Sequence, residues 1–267
     1  MASSSLCHRP ITTSWAVEGD IPLSAAISIP LLDLVAVGWF LAAWTGYTLI
    51  ADGISAQHRR TLARVMHTHR RRWMDRMMER EQRMPDVNIL IAHNNSAALF
   101  CSTSILILAG VVAILGNIER IREVLSQFSF AAHSSQALIE LKTVLLLLIF
   151  IYAFFKFAWS LRQFNYALIL IGGAPKMGSC DADTAGDYAE RAAQVLSRAG
   201  GTFNRGIRAY YFGLASLVWF IQPIAFMIAT VWVLLVIYRR DYRSVTLSAL
   251  SDGVDPKQLP PAGGSGY

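Results

Sequence analysis

Four long apolar runs divide the chain, at 29–51, 87–118, 138–161 and 209–238. A helix needs about 20 mostly apolar residues to cross the hydrocarbon of a bilayer, and each run reaches that length. The second and fourth runs contain no Asp, Glu, Lys or Arg, and the first contains only Asp33. The pattern therefore predicts an all-α, polytopic membrane protein with four transmembrane helices.

The composition agrees with a membrane protein. The chain of 267 residues is 54% hydrophobic and 16% charged, with a mean hydropathy of +0.40. An ordinary soluble chain has about 25% charged residues. We predict one transmembrane domain over 29–244, between a polar tail at 1–28 and a flexible tail at 245–267 that is rich in Pro and Gly.

Basic residues are unevenly distributed between the two sides of the predicted bundle. Most Arg and Lys residues outside the spans lie in two segments, at 52–86 and 162–208. Loops rich in Lys and Arg stay in the cytoplasm, so we predict that both segments are cytoplasmic and that both termini lie outside. Arg239, Arg240 and Arg243 disagree, because they follow the fourth span on the side predicted to be outside.

The same basic residues indicate the expected partners. The net charge of +6 comes from arginines that cluster beside the apolar runs, which favours anionic lipid headgroups over nucleic acid. The segment 57–84 is predicted to be a basic helix, because it lacks Pro and Gly and spaces its apolar residues by three and four positions. It is either a solvated extension of the first span or an interfacial helix on anionic lipid.

Charged residues inside a span are costly and suggest a partner or a function. Asp33 lies near the outer end of the first span and Lys142 near the outer end of the third, so we predict an Asp33–Lys142 pair within the membrane. The alternative is that both side chains extend to the outer interface. Glu140 is a weaker partner for Lys142, because residues two apart on a helix do not face each other.

A second set of polar side chains gathers at the predicted cytoplasmic end of three spans. They carry imidazole, amide and guanidinium groups, and are His93, Asn94, Asn95, Arg162, Asn165, Asn204, Arg205 and Arg208. Polar groups between membrane helices commonly stabilise packing, which is one interpretation. The other is an anion or headgroup site built on Arg162, Arg205 and Arg208, because guanidinium groups match phosphate in bidentate fashion.

The fourth run is interrupted near its middle by Gln222 and Pro223. Proline lacks a backbone donor and favours a kink. We therefore predict a bent helix there, which either acts as a hinge or helps packing.

Sequence motifs for known chemistry are absent. There is no nucleotide-binding glycine-rich loop, no GxSxG and no HExxH. His67 and His69 lie two apart on a predicted helix and point to different faces, so they do not form a metal site. We predict no metal and no cofactor, and the sequence favours a protein that is not an enzyme.

Several stretches together resemble a known family. They are Leu31-Leu32-Asp33-Leu34 with Trp39, Trp44 and Tyr47; Arg71-Arg72-Trp73-Met74; Phe100-Cys101-Ser102-Thr103-Ser104; Arg162-Gln163-Phe164-Asn165-Tyr166; Phe203-Asn204-Arg205-Gly206-Ile207-Arg208-Ala209-Tyr210-Tyr211-Phe212; and Trp219-Phe220. From about Pro30 to Ser244 the chain resembles the bacterial integral membrane family catalogued as domain of unknown function 599. The resemblance implies a protein with several spans in the inner membrane of a bacterium, and it supplies no activity, cofactor or catalytic residue.

Three functions are compatible with these patterns. The first is a non-catalytic accessory or scaffold component of a membrane complex, with protein partners or as a homo-oligomer. The second is a small oligomeric transporter or channel, suggested by the polar residues within the spans. The third is a protein that binds anionic lipid through its cytoplasmic arginines.

Overall fold

The computed structural model describes residues 30–52, 61–127 and 135–251, and every regular element in them is helical. The elements are α1 (Leu31–Asp52), α2 (Leu62–Met78), α3 (Met84–Leu115), α4 (Ile118–Ser126), α5 (Gln136–Gly172), α6 (Ala182–Leu217), a 3-10 turn (Val218–Phe220), α7 (Pro223–Tyr242) and α8 (Val245–Ser251). Four segments are long and apolar enough to cross a membrane: Leu31–Ala51, Met84–Leu115, Gln136–Gly172 and Pro223–Ser251. The all-α membrane class therefore agrees with the sequence. The tails predicted at 1–28 and, after Ser251, at the carboxyl end lie outside the described residues.

The centre of the fold is the antiparallel pair of α5 and α6, which are 37 and 36 residues long. At about 1.5 Å per residue each helix extends for about 55 Å, well beyond the roughly 30 Å of bilayer hydrocarbon. The side chain of each N-cap residue accepts a backbone hydrogen bond in the first turn of its helix. Ser135 accepts from Leu138 at the start of α5, and Asp181 accepts from Thr184 at the start of α6. The pair therefore connects the membrane bundle with the layer that contains α2.

Two glycines on α6 allow α5 to approach closely. A Cβ atom on Gly206 would lie 2.6 Å from Cε1 of Phe157, and one on Gly213 would lie 3.1 Å from Cζ of Phe150. The hydroxyl of Ser160 on α5 also donates a hydrogen bond of 2.9 Å to the backbone oxygen of Ala199. Aromatic rings on α5 thus occupy the space that side chains on α6 would need.

The prediction of a single fourth span at 209–238 is wrong, because the structure divides this stretch between two helices. The helix α6 ends at Leu217, Gln222 has an extended backbone (φ −156°, ψ 136°), and Pro223 is the first residue of α7. Gln222–Pro223 is therefore a break between two helices rather than a kink within one. Proline suits the first turn of a helix because its missing N–H has no partner there in any case.

The chain reverses direction at this break. Trp219 contacts Asp33 near the start of α1, whereas Asp241 near the end of α7 contacts Tyr47 near the end of α1. The helix α7 therefore runs parallel to α1 and antiparallel to α6. The apolar end of α6 lies alongside α5, so the stretch 209–238 passes along the bundle twice.

The reversal changes the predicted sidedness of the last described residues. His69 of α2 donates a hydrogen bond of 2.9 Å to the backbone oxygen of Leu250 in α8. The prediction that the segment after the fourth span lies opposite the basic segments is therefore wrong as far as Ser251. Arg239, Arg240 and Arg243 lie on the same side as α2, which removes the disagreement noted in the sequence. The two termini themselves lie outside the described ranges.

The basic helix α2 is held against the protein by its apolar face. Val65, Met74 and Met77 are buried, and the two methionines pack with alanines of the amino-terminal half of α6. The helix ends at Met78, and Met84 starts α3 rather than ending α2. The apolar side of α2 is thus covered by α6.

The close approach of α5 and α6 predicts a large effect of a small substitution. Gly206→Ala should destabilise the protein by about 1–3 kcal/mol, because the new methyl group overlaps the ring of Phe157. Gly201→Ala is the matched control, since no atom lies within 4 Å of a Cβ at that position of the same helix. The midpoint of thermal unfolding in detergent should fall for the first variant and stay equal or rise for the second. Equal midpoints would contradict the packing described.

The chain reversal predicts which positions share a side of the membrane. In a background without the three cysteines of the chain, single cysteines at the exposed positions Arg76, Arg243 and Glu119 would be labelled with an impermeant maleimide in intact cells and in opened membranes. Arg76→Cys and Arg243→Cys should react from one side, and Glu119→Cys from the other. Labelling of Arg243→Cys together with Glu119→Cys would contradict the antiparallel pairing of α6 and α7.

Candidate functional site

The structure brings Asp33 and Lys142 together inside the bundle. Nζ of Lys142 lies 3.8 Å from Oδ1 of Asp33, and the two side chains are 1% and 6% exposed, respectively. Oδ1 of Asp33 also accepts a hydrogen bond of 2.7 Å from Nε1 of Trp219, and Nζ of Lys142 lies 5.3 Å from the centre of the Trp219 ring. Both charges face protein rather than extending to the interface, which was the alternative expectation. The sequence did not indicate Trp219 as their third partner.

Aromatic rings fill the bundle between this buried pair and its opposite end, where α1 and α7 finish beside the arginines of α2. We call this opposite end the basic end. Phe40 of α1 lies against Phe212 and Phe226, with ring centres 5.7 Å and 5.1 Å away, and Trp44 stacks on Phe212 at 5.2 Å. A second group of rings on α3, α5 and α6 surrounds Phe157. The middle of the bundle is therefore apolar and well filled.

A cavity of about 410 Å³ opens at the basic end, where α1 finishes. Four arginines from three helices line it: Arg70 on α2, Arg205 and Arg208 on α6, and Arg240 on α7. Asp241 is the one acidic residue among its described lining. Four guanidinium groups thus share the cavity with a single carboxylate.

The positions of these arginines follow from the local sequence. Arg205 and Arg208 are three residues apart and so lie on one face of α6. One turn earlier, Gly200 lets the side chain of Arg70 approach, because a Cβ there would lie 2.8 Å from Nη2 of Arg70. Arg240 reaches the cavity because α7 runs back along the bundle.

Aromatic and acidic groups hold the rim of the cavity. The hydroxyl of Tyr47 donates a hydrogen bond of 2.8 Å to Oδ2 of Asp241, and Nε of Arg240 donates one of 3.1 Å to Oδ1. The guanidinium carbons of Arg208 and Arg240 lie 5.8 Å from the ring centres of Tyr47 and Tyr211, respectively. Both oxygens of Asp241 therefore already have partners, and the arginines are supported by rings.

Among the arginines of the cavity, Arg70 is distinguished by its burial. Burial lowers the pKa of its guanidinium below the ordinary value, and in the described part of the chain no carboxylate offsets that effect. Arginine nevertheless stays protonated at neutral pH. A buried cation of this kind attracts an anion more strongly than an exposed one, because little water screens it.

Next to the cavity, an ion-pair network joins α2 to α6. Arg71 binds Glu190 and the backbone oxygen of Gly186, and forms an ion pair of 3.1 Å with Asp75. His67 lies 2.9 Å from Oγ of Ser197, and burial lowers the pKa of its imidazole. These contacts fix the helix that carries Arg70.

The polar cluster expected from the sequence is divided in the structure. Asn204, Arg205 and Arg208 line the cavity. The other five members do not line it, and are His93, Asn94, Asn95, Arg162 and Asn165. The ring of His93 instead lies 5.8 Å from that of Phe164, and Arg162 is exposed. Arg70 and Arg240 take the place expected for Arg162, and only the packing of α2 and α7 on α6 could have indicated them.

Comparison with known proteins gives a family and no activity. Residues 35–246 match the model of a family described as proteins of unknown function, DUF599. The chain belongs to this family. Comparisons with curated proteins and with solved structures return no match. The segment matched to DUF599 contains Lys142 and all four arginines of the cavity, whereas Asp33 lies just before its start.

The buried pair of this DUF599 protein predicts a non-additive pair of substitutions. Lys142→Met should destabilise the fold by about 3–5 kcal/mol, because it leaves the Asp33 carboxylate buried without its cation. The double variant Asp33→Asn with Lys142→Met should recover most of that loss, since the neutral amide keeps an oxygen that can accept from Trp219. Thermal unfolding in a mild detergent measures both variants. A double variant no more stable than Lys142→Met would contradict the pairing.

Proposed function

We propose that this DUF599 membrane protein binds an anionic group that carries phosphate, in the cavity lined by Arg70, Arg205, Arg208 and Arg240. The observation that carries this proposal is the convergence of four guanidinium groups on one cavity of about 410 Å³ whose described lining contains a single carboxylate. Guanidinium groups bind phosphate oxygens in pairs, and such charge-assisted hydrogen bonds are the stronger ones in proteins.

The size and position of the cavity support a headgroup-sized ligand. Its arginines come from α2, α6 and α7, so a ligand there would contact three helices at once. The cavity lies where α1 ends, which is the expected depth of lipid headgroups if α1 crosses the membrane. A phosphate of a lipid headgroup or a soluble phosphate compound would meet the same arginines.

We place this end of the bundle in the cytoplasm. With α7 running back along the bundle, Arg239, Arg240 and Arg243 join the arginines of α2 on one side. The asymmetry of basic residues is then larger than the sequence alone suggested, and it favours a cytoplasmic location under the rule that basic loops stay inside. An inner bacterial membrane is the corresponding location.

The filled middle of the bundle bears on the other hypotheses. A transport pathway through one chain would need polar groups at several depths, whereas aromatic rings separate Asp33 and Lys142 from the arginine cavity. Anion binding is therefore the better supported of the two. An accessory or scaffold role stays a hypothesis that is compatible with anion binding, since a bound anion can also regulate a docking surface.

Titration of the purified full chain tests the proposal. Pyrophosphate and short-chain phosphatidic acid would be titrated separately, by calorimetry, onto the chain in phosphatidylcholine nanodiscs. We expect saturable binding of at least one of them, weakened about tenfold or more by Arg205→Gln, because a hydrogen bond to a charged group contributes about 1.5–3 kcal/mol. Binding of phosphatidic acid alone would assign the site to a headgroup, and binding of pyrophosphate would assign it to a soluble phosphate.

Arg162→Gln is the matched control for this titration. It removes the same charge from the same region, but Arg162 is exposed and does not line the cavity. The Arg162→Gln variant should bind both ligands with the affinity of the unchanged protein. Absence of saturable binding of both ligands, or equal weakening by Arg162→Gln and Arg205→Gln, would overturn the proposal.

A further inference from the structure

A second concave surface lies between α1 and α5, within the apolar part of the bundle. It encloses about 550 Å³, and its walls are almost wholly apolar side chains, which include Leu41, Trp44, Leu145, Leu148 and Tyr152. Both helices belong to the segments long and apolar enough to cross a membrane. The open side of this groove would therefore face the hydrocarbon of the bilayer rather than water.

The two threonines of the groove offer it no unsatisfied hydroxyl. Thr45 donates a hydrogen bond of 2.6 Å to the backbone oxygen of Leu41, and Thr48 donates one of 2.8 Å to that of Trp44. Because each hydroxyl is bonded within its own helix, the groove is suited to hydrocarbon.

The groove extends along α1 and α5 toward the basic end of the protein. Its lining runs from Leu41 to Leu49 on α1 and from Leu145 to Tyr152 on α5. Asp33 contacts Lys142 near one end of the two helices, and the rings of Trp44 and Tyr152 lie 5.7 Å apart farther along, so α1 and α5 run in the same direction. Eight residues of helix correspond to about 12 Å, enough for a large part of one acyl chain.

A cation stands at the basic end of this groove. Nζ of Lys156 lies 5.1 Å from the centre of the Tyr152 ring, which is part of the wall. Lys156 follows Tyr152 by one helical turn and is therefore level with Thr48, about one turn before the end of α1, where its long side chain can extend to the headgroups. An apolar groove that ends at a lysine complements an anionic phospholipid: the groove suits the acyl chain, and the lysine suits the negatively charged headgroup.

We propose that the groove between α1 and α5 binds one acyl chain of an anionic phospholipid, whose phosphate contacts Lys156. The site is separate from the arginine cavity, which α1, α2, α6 and α7 line without any residue of α5. The two proposals therefore succeed or fail independently. A polar peptide is a poor occupant, because its backbone groups would find no hydrogen-bond partners along the apolar walls.

Retention of lipid by the purified chain tests this site. The full chain would be reconstituted in nanodiscs of equal parts phosphatidylglycerol and phosphatidylcholine, released into mild detergent and examined by native mass spectrometry. We expect one retained lipid per chain that Arg205→Gln does not remove, with phosphatidylglycerol preferred. Lys156→Gln should reduce that preference about fivefold without removing the lipid, which is the effect expected for one basic residue near an anionic surface.

A variant that fills the groove separates the acyl chain from the headgroup. Thr45→Phe places a ring in the groove and should abolish retention of the lipid that Arg205→Gln leaves in place, while Ser102→Phe at an exposed position of α3 should leave that lipid unchanged. Arg162→Gln is the charge control on α5. Size-exclusion profiles equal to that of the unchanged protein would show that each variant folds.

Any one of four results would overturn the proposal. The unchanged protein could retain no lipid, or retain both lipids equally. Thr45→Phe could retain as much lipid as the unchanged protein. Lys156→Gln and Arg162→Gln could alter the preference by the same factor, which would assign the effect to general charge rather than to this lysine.

Discussion

The hydrogen bond from Trp219 to Asp33 is the contact on which the positions of the outer elements depend. It ties the 3-10 turn after α6 to the first turn of α1, at a depth where Lys142 supplies the balancing charge. Because the chain turns there, α7 runs back beside α1 and brings Arg240 and Asp241 to the basic end. A buried polar contact at one end of the bundle thereby determines the composition of a cavity at the other.

The pair of α5 and α6 is the second feature that determines where the arginines lie, because both helices extend from the apolar bundle to the layer that contains α2. Gly206 and Gly213 let aromatic rings of α5 reach the backbone of α6 within the bundle. Farther along the same helix, Gly200 leaves room for the guanidinium of Arg70. Small residues in the carboxyl-terminal half of α6 thus serve close packing at Gly206 and Gly213 and the placement of a cation at Gly200.

Hydropathy predicted the long apolar helices, and equal depth in the membrane predicted that Asp33 and Lys142 would meet. Both inferences work because lipid constrains helix length and penalises unpaired charge. Hydropathy does not reveal the break at Gln222, because the apolar run continues across it, and the arginines after Tyr238 are its visible sign. Arg70 could not be assigned to the site, since the packing of α2 on α6 is a tertiary feature that no local spacing encodes.

The arginine cavity has a consequence for the free energy of the protein itself. Its described lining contains four guanidinium groups and one carboxylate, which already binds Tyr47 and Arg240. An anion that binds there in the folded state and not to the unfolded chain stabilises the folded state increasingly as its occupancy rises. The cavity also joins α2 to α6 and α7. Ligand binding is therefore expected to be coupled to how firmly α2 is held against α6 and α7.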